Sequence, residues 1–383
     1  MAYINQYGRQ SVGEDEAEAI LQTLGSDFLT QGPTVEIFEQ QFAQTVGAQF
    51  ATACSSGTAG LHLAMLALGI EAGDIVWTTP ITFVASANAA MYLGADVDLI
   101  DIDPDTWNLS PASLSTKIKF CLENNKPLPK AVVVVHFAGS PAELAEINKL
   151  TKDLNIFIIE DAAHAFGART AQETIGSCKY SDVAVFSFHP VKNITTGEGG
   201  AITTNNSEIN FKLKTYRTHG ITKNKDFEGE PWRYDQVALG YNYRLTDLQA
   251  SIGIVQLKKA PEFVAKRKAL YLRYLECLQP NSNISFQNIG NNESAHHLMV
   301  IRVPKNKRLL LFNGLKEKGI GVQVHYLPLY EHSYYKAKKI GEAHSFPNSD
   351  SYYREALTLP LHTELELTEV DTISEYVTEI VCD

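Results

Sequence analysis

Seven short apolar runs constrain this chain more than any other feature: Phe50–Ala53, Ile75–Thr78, Val97–Ile100, Ala131–Val135, Ile156–Ile159, Val183–Phe186 and Ala201–Thr204. Each has the length of a strand, and the stretches between them are mostly helix-like. Apolar runs without polar alternation suit strands buried on both faces. Alternated with helices, they predict an α/β fold with a large, mostly parallel sheet covered on both sides. Ahead of them, Gly13–Leu24 has helical spacing behind an acidic first turn. A turn at Thr30-Gln31-Gly32-Pro33 leads into an amphipathic helix carrying Val35, Phe38 and Phe42 on one side.

The pattern changes after Thr246. A long helix is expected over Thr246–Leu278, broken at Pro261, where a ring replaces a backbone N–H. Pro280–Ser294 is polar and Asn-rich and reads as a loop. His297–Val303 then reads as a strand, Arg308–Lys318 as a helix and Gly321–His325 as another strand. Residues 1–250 are therefore expected to form a large domain, and residues 251–383 a smaller α+β domain joined to it by the long helix.

The net charge of −11 over 383 residues argues against a general nucleic-acid binder, which would carry a basic stripe. An anionic ligand must then be held by local amides and a few basic groups. Five cysteines are scattered without a CxxC pair, which suits a reduced cytoplasmic protein without structural metal. No apolar leader opens the sequence and no run is long enough to cross a membrane.

Four segments could carry chemistry, and each has a plainer reading. SSGTAGLHLAMLALG (Ser55–Gly69) joins a strand to a helix through small residues, as a phosphate cup would. It also suits an ordinary helix cap. IIEDAAHAFGA (Ile158–Ala168) puts Asp161 just after a strand, where ligand groups of open α/β sheets gather, with His164 three residues on. A helix cap and a buried histidine would look the same. FSFHPVKNITTGEGG (Phe186–Gly200) sets Lys192 between an apolar run and a glycine-rich turn. A lysine that attacks a carbonyl must be the free amine, which calls for a desolvated site; a surface lysine needs no such setting. LGYNYRLTDLQASIG (Leu239–Gly253) holds Asn242 before a helix capped near Thr246, and alone reads as packing. Taken together, a phosphate cup, an acid after a strand and a lysine after the next strand follow the order of a fold-type I pyridoxal phosphate (PLP) enzyme. Phe83, in TTPITFVASANAA, could stack on the ring or sit in the core.

These segments resemble the sugar aminotransferase family DegT/DnrJ/EryC1/StrS over nearly the whole chain, from LTQGPTVEIFE through RTHG to VHYLPLY. TTPITFVASAN, FSFHPVK, the insert DFEGEP and QLKKAP resemble in particular a branch that aminates C4 of a UDP-linked sugar on the pseudaminic acid route. The cup SSGTAG departs from that branch, which more often has Ala and Ser around the Thr.

The resemblance implies a role for each matched residue. Lys192 would carry the PLP and shuttle protons, Asp161 would bind the pyridine nitrogen, and His164 would sit near the ring hydroxyl or behind Asp161. Phe83 would stack on the ring, and Gly57, Thr58 and Ser187 would hold the phosphate. Asn242 would reach the phosphate of a neighbouring subunit, which implies a homodimer. Tyr7, the stretch Asp27, Phe28, Leu29 and Thr30, and the pair His325 and Tyr326 would meet the nucleotide sugar. The implied reaction takes an amino group from L-glutamate, leaving 2-oxoglutarate, and gives it to C4 of a UDP-4-keto-6-deoxy-N-acetylhexosamine. Other nucleotide-linked 4-keto or 3-keto sugars, and a non-catalytic regulator on the same fold, are the competing expectations. A dehydratase of this superfamily would replace Lys192 with histidine. A dinucleotide-binding oxidoreductase would need a GxGxxG turn, which is missing.

Overall fold

A computed structural model describes residues 6–222, 230, 232–342 and 344–382. The insert DFEGEP lies outside the described residues except for Glu230. The chain opens with α1 (Glu14–Leu24) and α2 (Pro33–Val46). Glu16 accepts the Gly13 N–H at 2.8 Å and so closes the first turn of α1. The cap of α2 comes from far away in sequence. Asp247, wholly buried, accepts the N–H groups of Gly32 (2.8 Å) and Thr34 (3.0 Å).

All seven apolar runs become strands of one sheet, within a residue or two of the expected bounds. They are β1 (Phe50–Cys54), β2 (Ile75–Thr78), β3 (Asp96–Leu99), β4 (Ala131–Val135), β5 (Phe157–Asp161), β6 (Val183–Ser187) and β7 (Gly200–Thr204). Their order is β1-β7-β6-β5-β4-β2-β3. Every pairing from β3 across to β6 is parallel, and β7 runs antiparallel to both β6 and β1. Successive side chains alternate between the two faces. Val132, Val134, Ile158 and Phe186 join Phe38 and Phe42 of α2 in one core. Val133, Ile159, Val185 and Ile202 join a second core with α3 (Gly57–Ala67) and α4 (Ala85–Tyr92).

The helix Asp247–Leu278 runs through Pro261 without ending, contrary to the expected break. Pro261 lies on the exposed side, while Leu257, Ala260 and Phe263 on the inner side are buried and hold both halves in line. Packing on that face outweighs one missing hydrogen bond, worth about 3 kcal/mol with the ring clash. Gly253 permits the approach to α2, since a Cβ there would stand 2.5 Å from the Phe38 ring.

Beyond this helix, Ser285–Phe286, Met299–Arg302 and Ala356–Leu359 form a three-stranded antiparallel sheet. It packs with Tyr274, Leu311, Leu315 and Val377 into a separate core. The expected strand Gly321–His325 does not form. Only Gln323 pairs, with Thr358, and the chain then turns to carry His325 and Tyr326 toward the large sheet. Among the described residues no helix is long and apolar enough to cross a membrane.

Candidate active site

The carboxyl ends of parallel strands leave unoccupied crevices where their connections part, and side chains there can converge on a ligand. A cavity of about 510 Å³ lies at this position. The loop after β1 supplies Ser56, Gly57 and Thr58, the turn before α4 supplies Thr82 and Phe83, and β5 ends in Asp161 with His164 just beyond. Ser187 ends β6, and Lys192 follows in the next turn. The amino-terminal arm adds Tyr7, held by the Leu361 N–H donating to the Tyr7 carbonyl at 3.1 Å. The small lobe adds His325 and Tyr326.

Adjacent residues on a strand point to opposite faces, and β5 uses this to separate two carboxylates. Glu160 is wholly buried on the far side, where it accepts from Gly176 N–H and from Ser181 Oγ. His136 Nδ1 accepts the Ala142 N–H at 3.0 Å, so its proton sits on Nε2 and goes to Glu160 at 3.0 Å. Asp161 faces the cavity. Its Oδ2 accepts the Ser86 hydroxyl at 2.6 Å and its Oδ1 the Ala163 N–H at 3.2 Å.

Lys192 is half-buried, with its side chain lining the cavity. Desolvation pushes its ammonium down to about 8, against an opposing pull from the Asp161 carboxylate. His164 is held well below the usual imidazole range, first by burial and then by the nearby Lys192 charge. It is therefore neutral, its Nε2 lies 3.2 Å from the Tyr326 hydroxyl, and its buried Nδ1 has no partner among the described residues. His325 is pushed down to about 3, mainly by burial.

The start of α3 presents free backbone amides and a small gap to the cavity. Ser56 caps the helix by accepting the Ala59 N–H at 3.1 Å. The Gly57 and Thr58 amides fall in the first turn, where no intrahelical acceptor exists. A Cβ at Gly57 would stand 2.9 Å from Ser187 Cβ, so only glycine leaves the gap open. Phe83 is 56% exposed although large and apolar, and its ring lies 6.1 Å from that of Tyr326. It is not the core aromatic that its apolar neighbours allow for.

Ten of the residues expected from sequence thus meet in one cavity. Asn242 and the stretch Asp27, Phe28, Leu29 and Thr30 do not; all five are exposed outside it. Thr82, Ser86, His189 and Glu198 were not among the expected site residues, although all but Ser86 line the cavity and Ser86 bonds Asp161. A second cleft of about 540 Å³ lies at the β3 edge, but its Lys117 and Asp98 already pair at 2.5 Å. Among the described residues no group of three or more His, Cys, Asp or Glu side chains is placed to hold a metal ion.

A large, mostly parallel sheet whose strand ends bring a desolvated lysine, a carboxylate and an anion cradle to one cavity defines a fold-type I PLP-dependent aminotransferase. The chain belongs to the DegT/DnrJ/EryC1/StrS aminotransferase family, whose profile matches residues 10–378. It is 39% identical over 373 residues to the UDP-4-amino-4,6-dideoxy-N-acetyl-beta-L-altrosamine transaminase of Campylobacter jejuni, covering 96% of this chain and 95% of that protein. PseC of Helicobacter pylori, an aminotransferase involved in pseudaminic acid biosynthesis, superposes with a TM-score of 0.90 at 29% identity over 100% of this chain and 99% of that one. Spr1654 of Streptococcus pneumoniae, solved in a PLP form, superposes with a TM-score of 0.88 at 28% identity over 98% of each chain.

Proposed function

We propose that this protein moves the amino group of L-glutamate to C4 of a UDP-4-keto-6-deoxy-N-acetylhexosamine, giving a UDP-4-amino-4,6-dideoxy sugar for pseudaminic acid synthesis. The observation that carries the reading is the meeting of Lys192, Asp161 and the Gly57–Ser187 cradle in one cavity. The names of the Campylobacter and Helicobacter relatives support the sugar.

The residues present fit PLP. The open gap at Gly57 and the first-turn amides of α3 suit its phosphate, and the partnerless Nδ1 of His164 leaves a polar group for its ring substituents. When bound, PLP supplies an electron sink for the carbanion formed as the amino group is exchanged. Lys192 would hold the cofactor through Nζ and, as a free amine, would take and return the proton at the substrate carbon. Its lowered basicity leaves about a tenth of it neutral near pH 7, against about four parts in ten thousand for an ordinary lysine. Asp161 would hold the proton on the ring nitrogen, and Phe83 would lie against the ring. Thr58 and Ser187 would orient the phosphate, and neutral His164 adds no positive charge beside Lys192. Tyr7, His325 and Tyr326 close the side of the cavity that a sugar would enter.

Asn242 lies outside its own cavity on an exposed, aromatic-rich segment that includes Trp232, Tyr234 and Leu239. We read this face, with Asp27–Thr30, as meeting a second copy of the chain, where Asn242 reaches that copy's phosphate cradle. Residues 1–250 and 251–383 are read as the two domains that enclose the site. Another nucleotide-linked keto sugar is the alternative. Half-reactions with a panel of UDP-linked 4-keto and 3-keto sugars distinguish the two: turnover confined to 3-keto sugars would overturn the C4 assignment.

A further inference from the structure

We propose that Ser86, backed by Thr82, is a positioning residue that holds Asp161 in the one orientation useful for amino transfer. The inference rests on Asp161 pairing with the ring nitrogen of PLP, as read above. Ser86 sits in the first turn of α4, and its other buried neighbours on that helix are Ala85, Ala87, Ala89 and Ala90. Alanine therefore satisfies the packing of this helix, and a hydroxyl at 86 is not needed for it. Ser86 is wholly buried and Thr82 is 2% exposed, so both hydroxyls must be bonded within the protein.

Their bonds form a chain with one direction. Ser86 Oγ lies 2.6 Å from Asp161 Oδ2, and Thr82 Oγ1 lies 2.7 Å from Ser86 Oγ. An ionised carboxylate only accepts, so the Ser86 proton goes to Asp161. Thr82 must then donate to Ser86, and each donation strengthens the next. A serine inside a helix ordinarily turns back to its own backbone or out to solvent, and Ser86 reaches across to β5 instead. With Oδ2 fixed by Ser86 and Oδ1 by the Ala163 N–H, the carboxylate cannot rotate freely where it lines the cavity.

The test uses the PLP-loaded protein and four variants: Ser86→Ala, Ser86→Thr, Thr82→Val and the Ser86→Ala/Thr82→Val double. Three quantities are read: kcat and KM separately, the pH midpoint of the bound cofactor's absorption band, and Tm. Ser86→Ala is expected to lower kcat about ten- to a hundredfold, the worth of one hydrogen bond to a charge, with little change in KM. It also displaces the pH midpoint, and Ser86→Thr restores both. Thr82→Val gives a smaller loss that vanishes in the Ser86→Ala background, because it acts only through Ser86. Unchanged kcat and pH midpoint in Ser86→Ala, a change in Tm alone, or additive losses in the double variant would overturn the proposal. Asp161→Ala is run beside them. If it too is silent, the role of Asp161 falls; if it is damaging while Ser86→Ala is silent, only the positioning role falls.

Discussion

Asp161, at the end of β5, and Lys192, in the turn that follows the adjacent parallel strand β6, line one cavity, and the carboxylate's charge acts on the ammonium. Desolvation and that charge pull Lys192 in opposite directions, and desolvation wins. The result is a lysine near 8, close to working pH, which is the range a nucleophile and proton carrier needs.

The rate of PLP attachment to the apoprotein should follow this value. The free amine is the attacking form, so the rate should rise about tenfold per unit from pH 6 toward pH 8 and level off above it. Stopped-flow absorbance over that range measures it. A rate still climbing steeply beyond about pH 9.5 would mean an ordinary, solvated lysine.

Asp161→Ala should lower kcat at least about a hundredfold, the scale on which a fixed charge stabilises a transition state. Cofactor should still bind through Lys192 and the phosphate cradle. Activity within a few-fold of wild type would remove Asp161 from its assigned role.

Gly57→Ala places a methyl 2.9 Å from Ser187 Cβ, in the gap where the phosphate would lie. Cofactor affinity should fall about tenfold or more, the cost of modest overpacking. Fluorescence titration of the apoprotein with PLP gives the number. Wild-type affinity would show that the phosphate sits elsewhere.

Glu173 gives a pH effect on stability outside the cavity. Burial, and then the nearby Glu160 charge, push its carboxyl up to about 7. Its folded value exceeds its unfolded one, so between about pH 4.5 and 7 the folded state holds a proton that the unfolded state has lost. This contribution is favourable at low pH and fades as pH rises through that window. Glu173→Gln should therefore be more stable than wild type at pH 8, on the order of 1–2 kcal/mol, and about equal at pH 5. Denaturant unfolding at both values decides it; an equal difference at the two pH values would contradict the assignment.

The sheet was legible because its strands are runs of β-branched and aromatic residues too short for helices, bounded by polar turns. Direction was not legible. Ala201–Thr204 looks like its neighbours but runs antiparallel, because an apolar run carries no arrow. Pro261 misled because local propensity cannot see the buried Leu257, Ala260 and Phe263 that keep the helix going. Gly321–His325 misled for the opposite reason: alternation suggested a strand, but only Gln323 finds a partner. In the site, Asp161 and Lys192 stood out as charges beside buried strands. Ser86 did not, because a serine on an alanine-rich helix looks like filler until its partner on β5 is seen.

The most direct measurement is the absorption spectrum of the PLP-loaded protein, first with L-glutamate and then with a UDP-4-keto-6-deoxy-N-acetylhexosamine. The expected result is a band near the edge of the visible that moves toward the ultraviolet with glutamate and returns with the keto sugar. A protein that stays colourless after incubation with PLP would contradict the role of Lys192, and with it the aminotransferase reading of the cavity.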